Sequence, residues 1–163
     1  MNKLSSRLLV AGVAVAAIGA SAPVAFAEAE SEQAAPACQQ VVLENVVVAA
    51  DHDGTGVSFN FDDKVAEQDV AYLPAGEEPT QDGSGDPVQV AGNAWIRVSV
   101  HCYDWLNDSY DGPRRIAGEG PVEEVVHAGT FEGATTWFIG VDEKREMTET
   151  AVDSSVVVNV DAR

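Results

Sequence analysis

Residues 94–102 read Ala94-Trp95-Ile96-Arg97-Val98-Ser99-Val100-His101-Cys102, and this stretch decides the fold class. Apolar and polar side chains alternate along it with a period of two, the spacing of a strand with one face in a core and the other toward solvent. Ile96, Val98, Val100 and Cys102 are expected to point inward. Trp95, Arg97, Ser99 and His101 are expected to point outward. A strand of this kind cannot bury its apolar face alone, so a second layer has to pack against it.

The same pattern recurs on both sides. Residues 41–50 are dense in valine and read as a strand. Asp51-His52-Asp53-Gly54 then supplies turn chemistry, because Asp and Gly tolerate the positive φ of a tight hairpin. Val57-Ser58-Phe59-Asn60-Phe61 alternates again. Residues 65–73 are expected to form a less regular strand, and residues 74–87, with three prolines and three glycines, a loop. Beyond residue 102 lies a turn-rich excursion over 104–120, with one short apolar step at Ile116. Strands are expected over 122–128, 134–141 and 156–160, with a brief helix or loop over 143–151. About seven short, mainly antiparallel strands without a long amphipathic helix predict an all-β fold, a β-sandwich.

Residues 1–27 carry the marks of an export signal. Lys3 and Arg7 precede an apolar run from 8 to 20, and Ala25-Phe26-Ala27 places small residues where a signal peptidase reads. The run is shorter than the roughly 20 residues that span a bilayer. Cleavage before Glu28 is expected, leaving a disordered Glu-, Ala- and Ser-rich leader over 28–37 and one domain over 38–163. Residues 1–27 hold two of the nine basic side chains and none of the 27 acidic ones, so residues 28–163 carry seven against 27, a net charge of −20. That field repels nucleic acid and anionic lipid, and favours solubility or a basic partner. No later segment is apolar and long enough to anchor the chain in a membrane. In an exported chain the two cysteines, Cys38 and Cys102, are expected to pair. Ala35-Pro36-Ala37-Cys38 lacks the Leu of a lipidation site.

Catalytic and metal chemistry find little support. His52, His101 and His127 fall on three different segments, with no H-x-x-x-H pair to seat zinc. Asp82-Gly83-Ser84-Gly85-Asp86 opens like a calcium-binding EF-hand loop, but Pro87 stands sixth where Gly is needed and Asn93 twelfth where Glu belongs. This stretch, and the cluster of Asp104, Asn107, Asp108 and Asp111, read as turns. There is no G-x-S-x-G elbow, no phosphate-binding Gly loop and no reason to single out one carboxylate pair among so many. No catalytic residue, metal or cofactor is expected.

Several ordered blocks go further. Asp82 to Val88 leads through Ala91-Gly92-Asn93-Ala94 into the alternating strand. Gly112-Pro113-Arg114-Arg115-Ile116 is followed by the run from Glu124 to Gly133 and by Trp137-Phe138-Ile139-Gly140-Val141. With His52-Asp53-Gly54 and Val57 to Phe61, these blocks resemble the AMIN-like domain of secreted actinobacterial proteins over about residues 45–161. That resemblance implies a relation to AMIN domains, β-sandwich modules that attach cell-wall amidases and other envelope machinery to peptidoglycan. It therefore implies a non-catalytic envelope module binding peptidoglycan or a neighbouring cell-wall glycan. The cysteines are not part of the family pattern. An inhibitor or adaptor of a secreted enzyme, and a hydrolase using carboxylate chemistry, are the alternatives, and the oligomeric state stays open.

A ligand site is expected on the outward face of residues 94–102. Trp95 is an aromatic fit to stack on a sugar or anchor a protein, and Arg97 can grip a carboxylate with both nitrogens. His101 lies on the same face. In the competing reading a loop or the 104–120 excursion covers this face and Trp95 packs beneath it.

Overall fold

The computed structural model describes residues 38–163. The expected signal and leader, residues 1–37, lie outside the described residues. Nine strands form two antiparallel sheets: β1 (Leu43–Ala50), β2 (Gly54–Phe61), β3 (Gln68–Tyr72), β4 (Ala94–His101), β5 (Arg115–Ala117), β6 (Val122–Phe131), β7 (Ala134–Val141), β8 (Met147–Val152) and β9 (Ser155–Asp161). One sheet has the order β1-β2-β9-β8 and the other β3-β4-β7-β6-β5. The fold is the all-β sandwich that the alternation predicts, with two strands more than the expected seven.

The additional strands are β5 and β8. β5 grows from the apolar step at Ile116, in the stretch read as a turn-rich excursion. β8 occupies residues read as a brief helix or loop. It is an edge strand, exposed at five of its six positions, so neither face imposes alternation on its sequence. The hairpin to β9 turns at Asp153, which takes a φ of 50°. The less regular strand before the long loop shortens to β3, with Val65 buried just ahead of it.

Alternating residues of both sheets meet in a valine-rich core. Val57 and Phe59 of β2 and Val156, Val158 and Val160 of β9 face Ile96, Val98 and Val100 of β4 and Trp137, Ile139 and Val141 of β7, all at most 2% exposed. Each such Val or Ile contributes about 1.5–3 kcal/mol relative to an exposed position. Trp137 sits at the centre of the aromatic packing, tilted against Phe59 and edge-on to Tyr110.

The Cys38–Cys102 disulfide is present, with Cα atoms 5.9 Å apart. Cys102 differs from its expected inward position. It has left the sheet, with a φ of 61° that turns the chain away after His101. The turn lets Val41 pair with Tyr103 in a parallel bridge, its N–H donating to the Cys102 carbonyl at 3.0 Å. Among the described residues no helix is long and apolar enough to cross a membrane.

Candidate functional site

The outer face of the five-stranded sheet is not bare. Residues 74–93 leave β3 and return to β4 as a strap across it. Gly140 makes the crossing possible: a Cβ there would lie 1.8 Å from the Ala91 carbonyl oxygen and 3.0 Å from a Val90 methyl. Three bonds hold its 89–91 stretch down. Arg115 Nη2 donates to the Gln89 carbonyl at 2.8 Å, the Ala91 N–H donates to Glu124 Oε2 at 3.1 Å, and Trp95 Nε1 donates to the Val90 carbonyl at 3.2 Å. Phe138, on the same face as Arg97, is consequently only 2% exposed.

The far end of the strap is a tight turn. The Gly85 N–H donates to the Gln81 carbonyl at 2.9 Å, and the Gln81 N–H to the Asp86 carbonyl at 2.7 Å. Gly83, with a φ of 79°, rests against the ring of Phe131 at the tip of the β6–β7 hairpin. Between this tip and the β3–β4 edge lies a groove of about 360 Å³. Its floor carries Arg97, Ser99 and His101 from β4 with Thr136 of β7. Asp69 forms one wall, and Asp82, Phe131 and Glu132 form the other. The volume lies at the lower end of the range for small-molecule sites.

Two of the three expected site residues, Arg97 and His101, line this groove, and Trp95 does not. Trp95 faces a second cleft of about 210 Å³ with Tyr72 and Lys144, half-buried, with its indole N–H held by the strap. This face is thus covered at Trp95 and open at Arg97 and His101. Ser99 points outward but is only 9% exposed, its hydroxyl bonded to Thr136 Oγ1 at 3.0 Å. Arg97 donates to Asp69 Oδ2 at 2.8 Å, from a position diagonal to it across the strand pair. Its charge is therefore already compensated. With Asp82 and Glu132 opposite, the groove favours hydroxyl-rich or amine-bearing ligands over a free carboxylate.

Asp69, Phe131 and Glu132 escape the sequence reading, and Asp82 enters it only as the opening of a turn. They come from three separate segments, and only the strap and the hairpin bring them beside residues 97–101. Phe131 leaves a trace as well, as an apolar residue one step before the Glu132-Gly133 turn.

A second polar cluster fills one end of the sandwich. Tyr103 Oη donates to Asp108 Oδ1 at 2.6 Å, and Arg114 lies 3.5 Å from Asp108 Oδ2. Arg114 Nη1 stands 2.7 Å from His127 Nδ1, and His127 Nε2 stands 3.1 Å from Thr135 Oγ1. Burial, followed by the Arg114 charge, pushes the His127 imidazole down to about 4. Arg114 can only donate, so Nδ1 accepts and the ring proton sits on Nε2. No lone pair is left to act as a general base. Burial and the bond to Asp108 raise the Tyr103 phenol above its ordinary range. For Asp108, burial acts upward but is outweighed by bonds from Tyr103 and the Tyr110 N–H and by Arg114, which hold its carboxyl below the ordinary value. This is a structural network that pins the 104–114 segment to the core. Beside it, the Trp137 indole N–H is buried without a hydrogen-bond partner.

Among the described residues, the one group of metal-capable side chains with converging ligand atoms is Asp51, His52 and Asp53, all exposed. Asp51 Oδ1 already accepts the N–H groups of Asp53 and Gly54, closing the β1–β2 turn. The Asp82–Asp86 stretch does not converge into such a group and folds as a turn closed on Gln81.

A family model described as the AMIN-like domain matches residues 41–162. No curated protein and no solved structure matches the chain significantly.

Proposed function

Because the chain belongs to the AMIN-like domain family, we propose that it is a secreted, non-catalytic binding module of the cell envelope, with peptidoglycan or a neighbouring wall glycan as its ligand. The family supplies the general setting, a cell-wall-related binding module of extracytoplasmic proteins, and the Cys38–Cys102 bond fits an oxidising compartment. The observation that carries the reading is the groove beside Arg97 and His101. It is a preformed concavity with charged and hydroxyl groups on its floor and a half-exposed aromatic, Phe131, on its wall. Sugars are recognised by this combination, with polar groups reading hydroxyls and an aromatic ring covering the apolar face of a pyranose. Trp95 contributes by fixing the strap, whose tip at Asp82 and Gly83 shares the wall with Phe131.

Co-sedimentation with purified peptidoglycan tests the proposal. The protein should pellet with the wall, and an Arg97→Ala, His101→Ala double variant should bind several-fold more weakly while melting like the parent. A parent protein that stays in the supernatant would overturn the reading. A variant that folds and binds as well as the parent would move the site elsewhere.

A further inference from the structure

The outer face of the four-stranded sheet differs in charge from the outer face of the five-stranded one. Strand register sets Val47, Ser58, Val157 and Thr150 side by side across its middle. The neighbouring rows, through Gly56 and Asn60, consist only of Ala, Gly, Asn, Thr, Ser and Val. Twelve outward positions thus carry no ionisable group, although residues 28–163 carry a net charge of −20. The matching face of the other sheet bears Asp69, Arg97, Arg115 and Glu124. The neutral face is open: all twelve residues are exposed or half-exposed, with Val47 at 48% and Val152 at 55%. Its polar groups are partly satisfied within the sheet, since Asn60 Nδ2 donates to Asn45 Oδ1 and the Ser155 hydroxyl donates to Asn60 Oδ1. Charge returns at both ends, with Asp161 beyond the Gly56 row and Asp62 and Asp153 beyond the Asn60 row.

We infer that this face is a self-association surface, and that its occupant is the same face of a second copy related by a two-fold axis. Charge selects the occupant. A basic partner would be drawn to the carboxylate-rich surfaces and would gain nothing from a neutral one. A second copy brings the same −20, and this is the broad face on which two copies meet without opposing like charges. Shape agrees, because short side chains allow two sheets to approach to the ~10 Å of face-to-face packing. An isologous contact makes one patch complementary to itself, as the commonest oligomers are. From strand spacing and rise the face covers roughly 400 Å² per copy. That is below the standard interface, so the dimer is weak, with a dissociation constant on the order of 0.1 mM. The acidic rims repel across the contact and are screened by salt, so association strengthens as ionic strength rises.

Sedimentation velocity of the purified protein over a concentration series, in low and high sodium chloride, tests this. A monomer–dimer equilibrium is expected, shifted several-fold toward dimer at high salt. A Val47→Asp, Thr150→Asp double variant changes only exposed edge-strand positions, and should be monomeric throughout with an unchanged melting temperature. Arg97→Ala should dimerise like the parent, which separates this surface from the groove. The inference fails if the parent is monomeric up to about 1 mM in high salt. It fails if the double variant dimerises like the parent, or if salt dissociates the dimer. It also fails if the double variant loses wall binding while the parent is monomeric, for then a glycan occupies the face.

Discussion

A side chain on Gly140 has no room: its Cβ would stand 1.8 Å from the carbonyl oxygen of Ala91, in the strap that crosses β7. This approach closes the outer face over Phe138 and sets one boundary of the groove. Gly140→Ala must lift the strap or push β7 inward. A loss of about 2–3 kcal/mol is expected, in the range of overpacking in a rigid setting. Urea denaturation measures it, and a stability equal to the parent's would show that the strap yields freely.

Phe131 offers the converse case. It is 50% exposed and meets Gly83 at the strap tip, so its removal costs little core packing. Phe131→Ala should change stability by less than about 1 kcal/mol while reducing retention on peptidoglycan several-fold. Unchanged retention would remove the aromatic wall from the binding surface.

The disulfide closes a loop with a sequence separation of 64. Its removal releases chain entropy worth up to about 4 kcal/mol in the unfolded state. Cys38→Ser, Cys102→Ser should lower the urea midpoint accordingly. Cys102 holds a φ of 61°, where glycine is relaxed and serine is not. Combining Cys38→Ser with Cys102→Gly should therefore recover about 1 kcal/mol of the loss. If the serine and glycine variants are equally stable, the left-handed turn is not maintained without the bond.

His127 sets a pH dependence. The folded imidazole takes a proton only near pH 4, whereas an unfolded one does so near 6.5. The lowered value means that the contribution is complete above pH 6.5, shrinks as pH falls and is gone below about 4. Allowing for partial exposure, its size is about 2 kcal/mol. His127→Gln can still accept from Arg114 and donate toward Thr135, but does not titrate. Urea midpoints should fall less between pH 7 and pH 4.5 in this variant than in the parent, and parallel curves would rule out His127 as a source of acid sensitivity.

What the sequence determined by itself was the half of the fold written in one-sided burial. Residues 96, 98 and 100 and residues 57, 59 and 61 alternate because a core lies on one side only, and that asymmetry is visible without coordinates. Asp-Gly turn chemistry placed the first hairpin, and the even cysteine count placed the disulfide. Arg97 and His101 could be set on the outward face for the same reason. Tertiary structure decided the remainder. β8 has no inner face to enforce a pattern, so its pairing with β9 is settled by neighbours rather than by its own residues. Ser99 and Phe138 lie on the outward face yet are buried, the one by its Thr136 partner and the other beneath the strap. The groove exists because residues 69, 82, 97 and 131 converge. Local periodicity can say which way a side chain points, but what it points at depends on chain segments far away in sequence.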